Sequence, residues 1–131
     1  LGSSTLGSAL MAPTTIYNQI LLKLDKQIDI RAMAHITGGG ILENLPRCLP
    51  AHLGACVVKD SWICPPVFDW IQTGGNITDG EMMRTFNCGV GMILVVDASE
   101  VESALTLLEE GGISGWQLGS VTEKGPGVRF S

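Results

Sequence analysis

The amino-acid sequence predicts an α/β domain of the α+β kind, in which helices pack on a mixed β-sheet. Segments with helical spacing of apolar residues alternate with short β-rich runs, in the order helix, strand, helix, strand, two helices, strand, helix, strand, strand. The length of 131 residues and the apolar content of 45% suit one hydrophobic core. No internal repeat or interior linker is visible, so we expect a single domain over residues 1–131.

The first half of the chain is predicted to hold two helices and two strands. Ile16, Ile20 and Leu24 lie at helical spacing, and Pro46 limits a second, shorter helix. The Gly- and Ser-rich residues 1–10 are expected to lack regular structure. The predicted elements are a helix over 14–27, a strand over 28–36, a helix over 41–45 and a strand over 55–58.

The second half is predicted to hold three helices and three strands. Thr78 stands three residues before Glu81, which is the form of a capping box at a helix start. The run 90–96 is apolar on both faces, as expected of a central strand covered from two sides. The predicted elements are a helix from 65 to the glycines at 74–75, a helix from 78 to 86, a strand over 90–96, a helix from 101 to the glycines at 111–112, and strands over 116–121 and 128–130.

Charge and hydropathy argue against two classes of partner. The formal net charge is -5, and the 8 basic residues are scattered, so the basic stripe of a nucleic-acid binder is missing. The longest apolar run, 90–96, is far shorter than the roughly 20 residues that span a bilayer. We expect no nucleic-acid partner and no membrane segment. The chain starts at Leu1 without a secretory signal, which we interpret as a cut through a longer, cytoplasmic polypeptide.

The cysteines do not have the spacing of a metal site or a disulfide framework. Cys48, Cys56, Cys64 and Cys88 are separated by 8, 8 and 24 positions, with no Cys-x-x-Cys pair and no histidine at zinc spacing. We therefore predict no metal site. The cysteines are expected to be reduced and to pack as small apolar side chains.

A glycine triplet at 38–40 joins a predicted strand to a predicted helix. Glycine can take positive φ, so backbone N–H groups there can approach a phosphate, and the helix start adds the positive end of its dipole. Thr37 offers a hydroxyl beside the triplet. Neither the dinucleotide fingerprint nor the P-loop spacing is present, and a plain tight turn explains the glycines as well.

Three side chains around the triplet are candidates for contact with an anion. His35 precedes it and is a candidate acid/base or phosphate-contacting group, or else a hydrogen-bonded histidine at a sheet end. Asn44 is the better contact in the following helix, because Glu43 would repel a phosphate. Arg84 could reach a phosphate or pair with Glu81 on its own helix.

A second glycine segment, 87–91, precedes the apolar run. Its glycines indicate close approach by a ligand or a β-bulge. Asn87 could offer its amide to a ligand or cap the preceding helix. Cys88 has no basic neighbour in sequence, so a packed thiol is favoured over a nucleophile.

Four segments carry a family resemblance. Together they closely resemble the C-terminal domain of the aminoimidazole ribonucleotide synthetases, also called the phosphoribosylformylglycinamidine cyclo-ligases. The opening residues 6–7 and 12–17 fit as well, so the resemblance covers nearly the whole chain. The four segments are Ala-His-Ile-Thr-Gly-Gly-Gly at 34–40, Glu-Asn-Leu-Pro-Arg at 43–47, Pro-Val-Phe-Asp-Trp-Ile-Gln at 66–72 and Arg-Thr-Phe-Asn-Cys-Gly-Val-Gly-Met at 84–92.

The resemblance implies ATP-dependent ring closure of formylglycinamidine ribonucleotide in purine biosynthesis. By the family pattern, ATP and Mg²⁺ are bound mainly by an N-terminal half, which this chain lacks, and the active site lies between the halves. Dimers form largely through that N-terminal half, and in animals the enzyme is one unit of a trifunctional polypeptide. We expect the isolated chain to be inactive.

The resemblance also suggests roles for individual residues. Thr37 and the glycines Gly38, Gly39 and Gly40 would hold a substrate or nucleotide phosphate. His35 would orient or protonate that ligand, and Asn87 would line the cleft.

Two alternatives remain open. The chain could be a non-catalytic module that packs against other domains. It could also belong to a related group with the same domain plan, such as thiamine-monophosphate kinase, selenophosphate synthetase, a hydrogenase maturation factor or formylglycinamidine ribonucleotide amidotransferase. The run 84–91 favours the cyclo-ligase over these.

Overall fold

The computed structural model describes residues 5–131, in which short helices surround two small sheets. Short 3₁₀ segments lie at Leu45–Cys48, Lys59–Ser61 and Ala98–Glu100. The helices are α1 (Leu6–Leu10), α2 (Asn18–Leu24), α3 (Gly40–Asn44), α4 (Pro66–Gly75), α5 (Asp79–Thr85) and α6 (Val101–Glu110). The strands are β1 (Ala32–His35), β2 (Gly54–Val57), β3 (Met92–Val95), β4 (Gly119–Thr122) and β5 (Gly127–Phe130).

The strands form two sheets instead of the single mixed sheet that we expected. Strands β1 and β3 form an antiparallel pair in which Ala34 lies opposite Ile93. Strand β2 lies at the centre of the other sheet, antiparallel to β4 and parallel to β5. The α+β class and the mixed character of the larger sheet are therefore confirmed, and the single sheet is wrong.

The apolar core is divided into two clusters. The main cluster takes residues from both sheets and from the segment between them. The second cluster joins α2 to α6. The main cluster consists of Ala34, Ile36, Ile41, Leu45, Ala55, Val57, Val90 and Ile93, and the second of Ile20, Leu24, Ile28 and Ala104.

Strand β3 is not central, although its sequence predicted a central strand. Among the described residues it pairs with β1 alone. Its two faces contribute to different clusters, because Ile93 belongs to the main cluster while Leu94 packs against the second one. A strand between two apolar clusters shows the same two-sided apolar pattern as a strand inside a sheet, which is why the sequence was misleading.

Helix boundaries follow local capping. Thr78 accepts a hydrogen bond from the Glu81 N–H at 3.4 Å, which confirms the predicted start of α5. Helix α1 was not expected, and it forms because the Thr5 hydroxyl accepts from the Ser8 N–H at 3.2 Å. Residues 1–4 of that predicted irregular segment lie outside the described residues. Within residues 5–131, every helix is too short or too polar to cross a membrane.

Candidate functional site

The glycine triplet joins β1 to α3, as the sequence predicted. After His35 the chain makes a turn in which Gly39 has φ 96° and Gly40 has φ 56°. Both values lie in the left-handed region that favours glycine. Helix α3 has only 5 residues before it tightens into a 3₁₀ segment, which is as short as the sequence predicted, so the dipole at its start is weak.

The three glycines serve different purposes. Gly40 is buried, and a Cβ there would meet the carbonyl oxygens of Met83 and Phe86, the latter at 2.8 Å. Gly40 therefore lets the loop pack against the end of α5. A Cβ at Gly39 would lie 2.9 Å from a carboxylate oxygen of Glu43, whereas Gly38 is exposed and has open space around it. Of the three glycines, Gly38 has the open surroundings that a ligand needs.

Asn44 holds the carbonyl groups of this loop. Its side-chain nitrogen donates to the carbonyl oxygens of Gly40 at 2.8 Å and Gly38 at 3.1 Å. Asn44 is buried, so these hydrogen bonds form in an environment of low dielectric. The amide nitrogen of Asn44 thus binds the loop and positions it.

The backbone N–H groups of this loop differ in whether they find an acceptor among residues 5–131. The Ile36 N–H donates to the Gly91 carbonyl at 2.9 Å, and the Gly40 N–H donates to the Thr37 carbonyl at 3.1 Å. Within residues 5–131, the three N–H groups between them, at Thr37, Gly38 and Gly39, donate to no protein atom. Adjacent unpaired N–H groups with their carbonyls bound elsewhere form an arrangement that suits an anion.

His35 lies at the end of β1 next to an aromatic ring. Its imidazole centroid is 6.3 Å from that of Tyr17, with the rings inclined at 70°. The Tyr17 hydroxyl lies against Gly91, where any Cβ would collide with it. His35 is exposed, and no hydrogen bond to its ring is present in the described part of the chain. The His35 imidazole therefore packs edge-on against one aromatic neighbour while the residue stays exposed.

Sequence reasoning about the site did not identify Tyr17 as a neighbour of His35. The two residues are separated by a helix, and only the fold brings them together. The one available signal was that Tyr17 lies in a segment that fits the family pattern.

The turn at 87–90 is built by its own side chains. The Asn87 carboxamide oxygen accepts from the Gly89 N–H at 3.0 Å, and Cys88 takes φ 49°. Phe86, rather than Asn87, is the C-cap of α5. The alternative that Asn87 caps this helix is therefore wrong, and among residues 5–131 its amide nitrogen has no hydrogen-bond partner.

Cys88 is a packed thiol, as the sequence favoured. It is 1% exposed, and burial together with the nearby Cys64 thiol raises its pKa to about 12. A thiol with that pKa stays protonated at neutral pH and is a poor nucleophile. All four cysteines are free thiols in the structure.

Arg84 does not form the pair with Glu81 that we considered. The Glu81 carboxylate instead accepts from the Thr85 hydroxyl at 3.1 Å, and no ion pair of Arg84 occurs among residues 5–131. Arg47 differs, because it pairs with Glu43 at 3.7 Å. Arg84 is exposed on the helix whose end contacts Gly40, and its charge is available for an anion.

Comparison with known proteins identifies the group to which this arrangement belongs. Residues 1–130 match the family described as AIR synthase related protein, C-terminal domain. The chain belongs to this family. Its fold of mixed sheets packed with helices is consistent with that assignment.

Two curated relatives of this AIR synthase related domain carry the name phosphoribosylformylglycinamidine cyclo-ligase. The protein from Methylobacillus flagellatus is 52% identical over 117 residues, which are 89% of this chain and 34% of the relative. The protein from Nitrosococcus oceani is 47% identical over 134 aligned residues, covering 100% of this chain and 37% of the relative. The chain thus spans about a third of the length of these relatives.

Proposed function

We propose that this domain supplies the phosphate-binding wall of a phosphoribosylformylglycinamidine cyclo-ligase of purine biosynthesis. The observation that carries the proposal is the row of unpaired N–H groups at Thr37, Gly38 and Gly39. Asn44 supports it by holding the loop carbonyls away. The proposed reaction is the one that the names of the relatives describe. The loop is the proposed binding site for the phosphate of a ribonucleotide or nucleotide.

In the proposed reaction, the amide oxygen of formylglycinamidine ribonucleotide attacks the γ-phosphorus of ATP and ADP leaves. An amidine nitrogen then attacks the carbon of the resulting iminophosphate, inorganic phosphate is expelled, and the imidazole ring closes with loss of a proton. The residues of this domain act by positioning and charge neutralisation, which carry most of the catalysis in phosphoryl transfer. The N–H groups bind phosphate, His35 orients or protonates the ligand, and Asn87 and Arg84 line the cleft.

The rest of the proposed enzyme lies outside this chain. Mg²⁺ takes oxygen ligands, and residues 5–131 contain no cluster of three His, Cys, Asp or Glu side chains that could hold a metal ion. We assign binding of ATP and Mg²⁺ to an N-terminal half, through which the full-length protein also forms a homodimer in the cytoplasm. The isolated domain is expected to be inactive.

Binding is tested with a matched pair of variants. Gly38→Pro removes one N–H from the loop, while Gly38→Ala keeps it and fills open space. Formylglycinamidine ribonucleotide, ATP and inorganic phosphate are each titrated while the amide NMR signals of Thr37 and Gly39 are followed. We expect shifts of these signals in the wild type and Gly38→Ala, and weaker binding to Gly38→Pro. Equal affinity of the two variants would mean that the N–H groups do not bind the ligand.

Turnover is tested separately by ADP formation from ATP and formylglycinamidine ribonucleotide. The chain is assayed alone and mixed with a separately produced N-terminal half. Activity in the mixture alone would support the split active site, and a mixture of two folded pieces with no activity would contradict it.

A non-catalytic packing module is the second candidate, and exposed apolar side chains favour it. Ile63 is 94% exposed and Leu22 is 65% exposed, and a second domain packed over them would remove their apolar surface from water. A chain that binds the N-terminal half but no ribonucleotide would support this candidate over the first.

A further inference from the structure

Two cysteines that are distant in sequence are held next to each other. The Trp62 indole N–H donates to the Cys88 carbonyl at 2.9 Å. Three residues later, the Pro65 ring lies directly against Gly89, and no Cβ would fit between them. These two contacts lie on either side of Cys64 and place it against Cys88.

The surroundings of the two thiols differ. Cys88 is almost fully buried, and its Sγ donates to the Met82 carbonyl at 3.6 Å. Cys64 is only half-buried. Burial raises the pKa of both thiols, and the Asp69 charge raises that of Cys64 further, while the neighbouring Cys88 thiol lowers the pKa of Cys64 and the Cys64 thiol raises that of Cys88. Cys64 is thus the more accessible thiol and the one that ionises first.

We propose that Cys64 and Cys88 form a reversible intramolecular disulfide when the protein meets a small-molecule disulfide such as oxidised glutathione. Cys64 supplies the attacking sulfur, because a thiolate in contact with solvent can reach the oxidant. Cys88 supplies the resolving sulfur.

The exchange consumes one glutathione disulfide. The Cys64 thiolate attacks one of its sulfurs, the sulfur–sulfur bond breaks, and one glutathione thiolate leaves. Cys88 loses its proton and attacks the Cys64 sulfur of the mixed disulfide, which releases the second glutathione thiolate. The two protons lost by the protein thiols end on the two glutathione molecules, so the protein is oxidised by two electrons and the glutathione disulfide is reduced by two.

The new bond would tie residues 62–65 to a turn that is part of the candidate site. The Gly91 carbonyl, which follows this turn, accepts the Ile36 N–H at the base of the glycine loop. The Phe86 carbonyl, which precedes it, contacts Gly40. The thiol pair exists whether or not the loop binds phosphate, so its test is independent of the proposed function.

Trypsin separates the cysteines well enough to test the proposal. Cleavage after Arg47, Lys59, Arg84 and Lys124 places Cys64 in peptide 60–84, Cys88 in peptide 85–124, and both Cys48 and Cys56 in peptide 48–59. The folded chain is incubated with oxidised glutathione, quenched with acid and mapped without reduction. We expect loss of about 2 Da from the intact mass and a linked pair of peptides 60–84 and 85–124.

Variants provide the controls. Cys64→Ser should abolish the linked pair, whereas Cys56→Ser should leave it unchanged, since nothing in the described structure joins Cys56 to another thiol. In Cys88→Ser the reaction should stop at a glutathione adduct on Cys64. The peptide map of the wild-type protein tests for the Cys64–Cys88 disulfide even where a variant folds poorly. A stable glutathione adduct on wild-type Cys64 without the linked peptides, or a link that forms only in denatured protein, would overturn the proposal.

The rate supplies a second readout. Both thiols have raised pKa values, so the linked fraction at a fixed time should increase as the pH is raised from 7 to 9. Oxidised protein should also melt at a higher temperature than the reduced protein, because the link constrains the unfolded chain. An unchanged melting temperature with a linked pair present would mean that the link forms in a non-native arrangement.

Discussion

The Asn44 side-chain nitrogen lies 3.1 Å from the Gly38 carbonyl oxygen and donates a hydrogen bond to it across the glycine loop. A second bond from the same nitrogen reaches Gly40 at 2.8 Å. One amide thereby binds two loop carbonyls, while the N–H groups of Thr37, Gly38 and Gly39 donate to no protein atom within residues 5–131. The suitability of the loop for an anion depends on this buried side chain.

Removing the Asn44 amide should weaken both stability and binding. Asn44→Ala leaves two carbonyls without their donor, and we expect unfolding to become easier by about 1–3 kcal/mol in urea denaturation. Asn44→Asp has nearly the same shape but cannot donate from that position, so it should lose at least as much. Phosphate affinity should fall in both variants. A stable Asn44→Ala with unchanged affinity would show that the loop keeps its shape without these hydrogen bonds.

Gly40 and Gly38 should respond differently to the same substitution. Gly40→Ala brings a Cβ against the Met83 and Phe86 carbonyls at a positive φ, and we expect a loss of at least about 2 kcal/mol in unfolding free energy. Gly38→Ala enters open space, and its effect should stay within about 0.5 kcal/mol. Chemical denaturation of the two variants measures the difference. Equal stability would contradict the packing of Gly40 against α5.

Tyr17 should control the position of the His35 ring. Gly91→Ala places a Cβ on the Tyr17 hydroxyl and should push the phenol away from the imidazole, which shifts the His35 ring proton signals in NMR spectra. Tyr17→Phe removes the hydroxyl and keeps the ring, so it is the matched control and should change these signals less. In the combined variant Gly91→Ala with Tyr17→Phe, the signals should return toward the wild-type position. No return would mean that Gly91 acts on His35 by another route.

Asp79 should make stability depend on acid pH. Its carboxylate accepts from Lys59 at 2.9 Å and from Gln72 at 2.7 Å, and these hydrogen bonds, with the Lys59 charge, lower the pKa of Asp79 below its ordinary value of 3.8. A lowered folded-state pKa means that this contribution is fully present above the unfolded value. It is lost as the pH falls through the folded value.

We therefore expect Asp79→Asn to be less stable than the wild type near pH 6, with the two converging below pH 3.8. Thermal melts across this range measure the difference. The effect should be small and should shrink in high salt, because the group is exposed. A difference that does not vary with pH would contradict the assignment.

The sequence predicted those elements whose signals are local. Thr78 capped the helix that its spacing to Glu81 indicated, and the strand, glycine triplet and helix around Gly39 appeared in the predicted order. Apolar periodicity also predicted α4 and α6. These signals involve residues a few positions apart, so they can be recognised in a single sequence without knowledge of the fold.

Strand pairing was predicted less well, because it joins distant segments. Strand β2 pairs with β5, whose residues lie more than 70 positions later, as in the pair Ala55 and Val128. No pattern of neighbouring residues indicates that β2 pairs with β5. The apolar faces of β3 predicted a central strand, and only the positions of Ile93 and Leu94 in separate clusters revealed why both faces are apolar.

In the candidate site as well, the sequence indicated some features and only the fold determined the others. Residue types and spacing alone singled out His35, the glycine triplet and the turn at Asn87, and the family match covers residues 1–130. The fold determined which loop N–H groups lack a partner, which glycine packs against α5, and that Cys64 meets Cys88. The physical reason is that a hydrogen bond or a collision depends on which groups from distant parts of the chain come within a few ångströms. Local patterns fix the backbone conformation of a segment but not its neighbours.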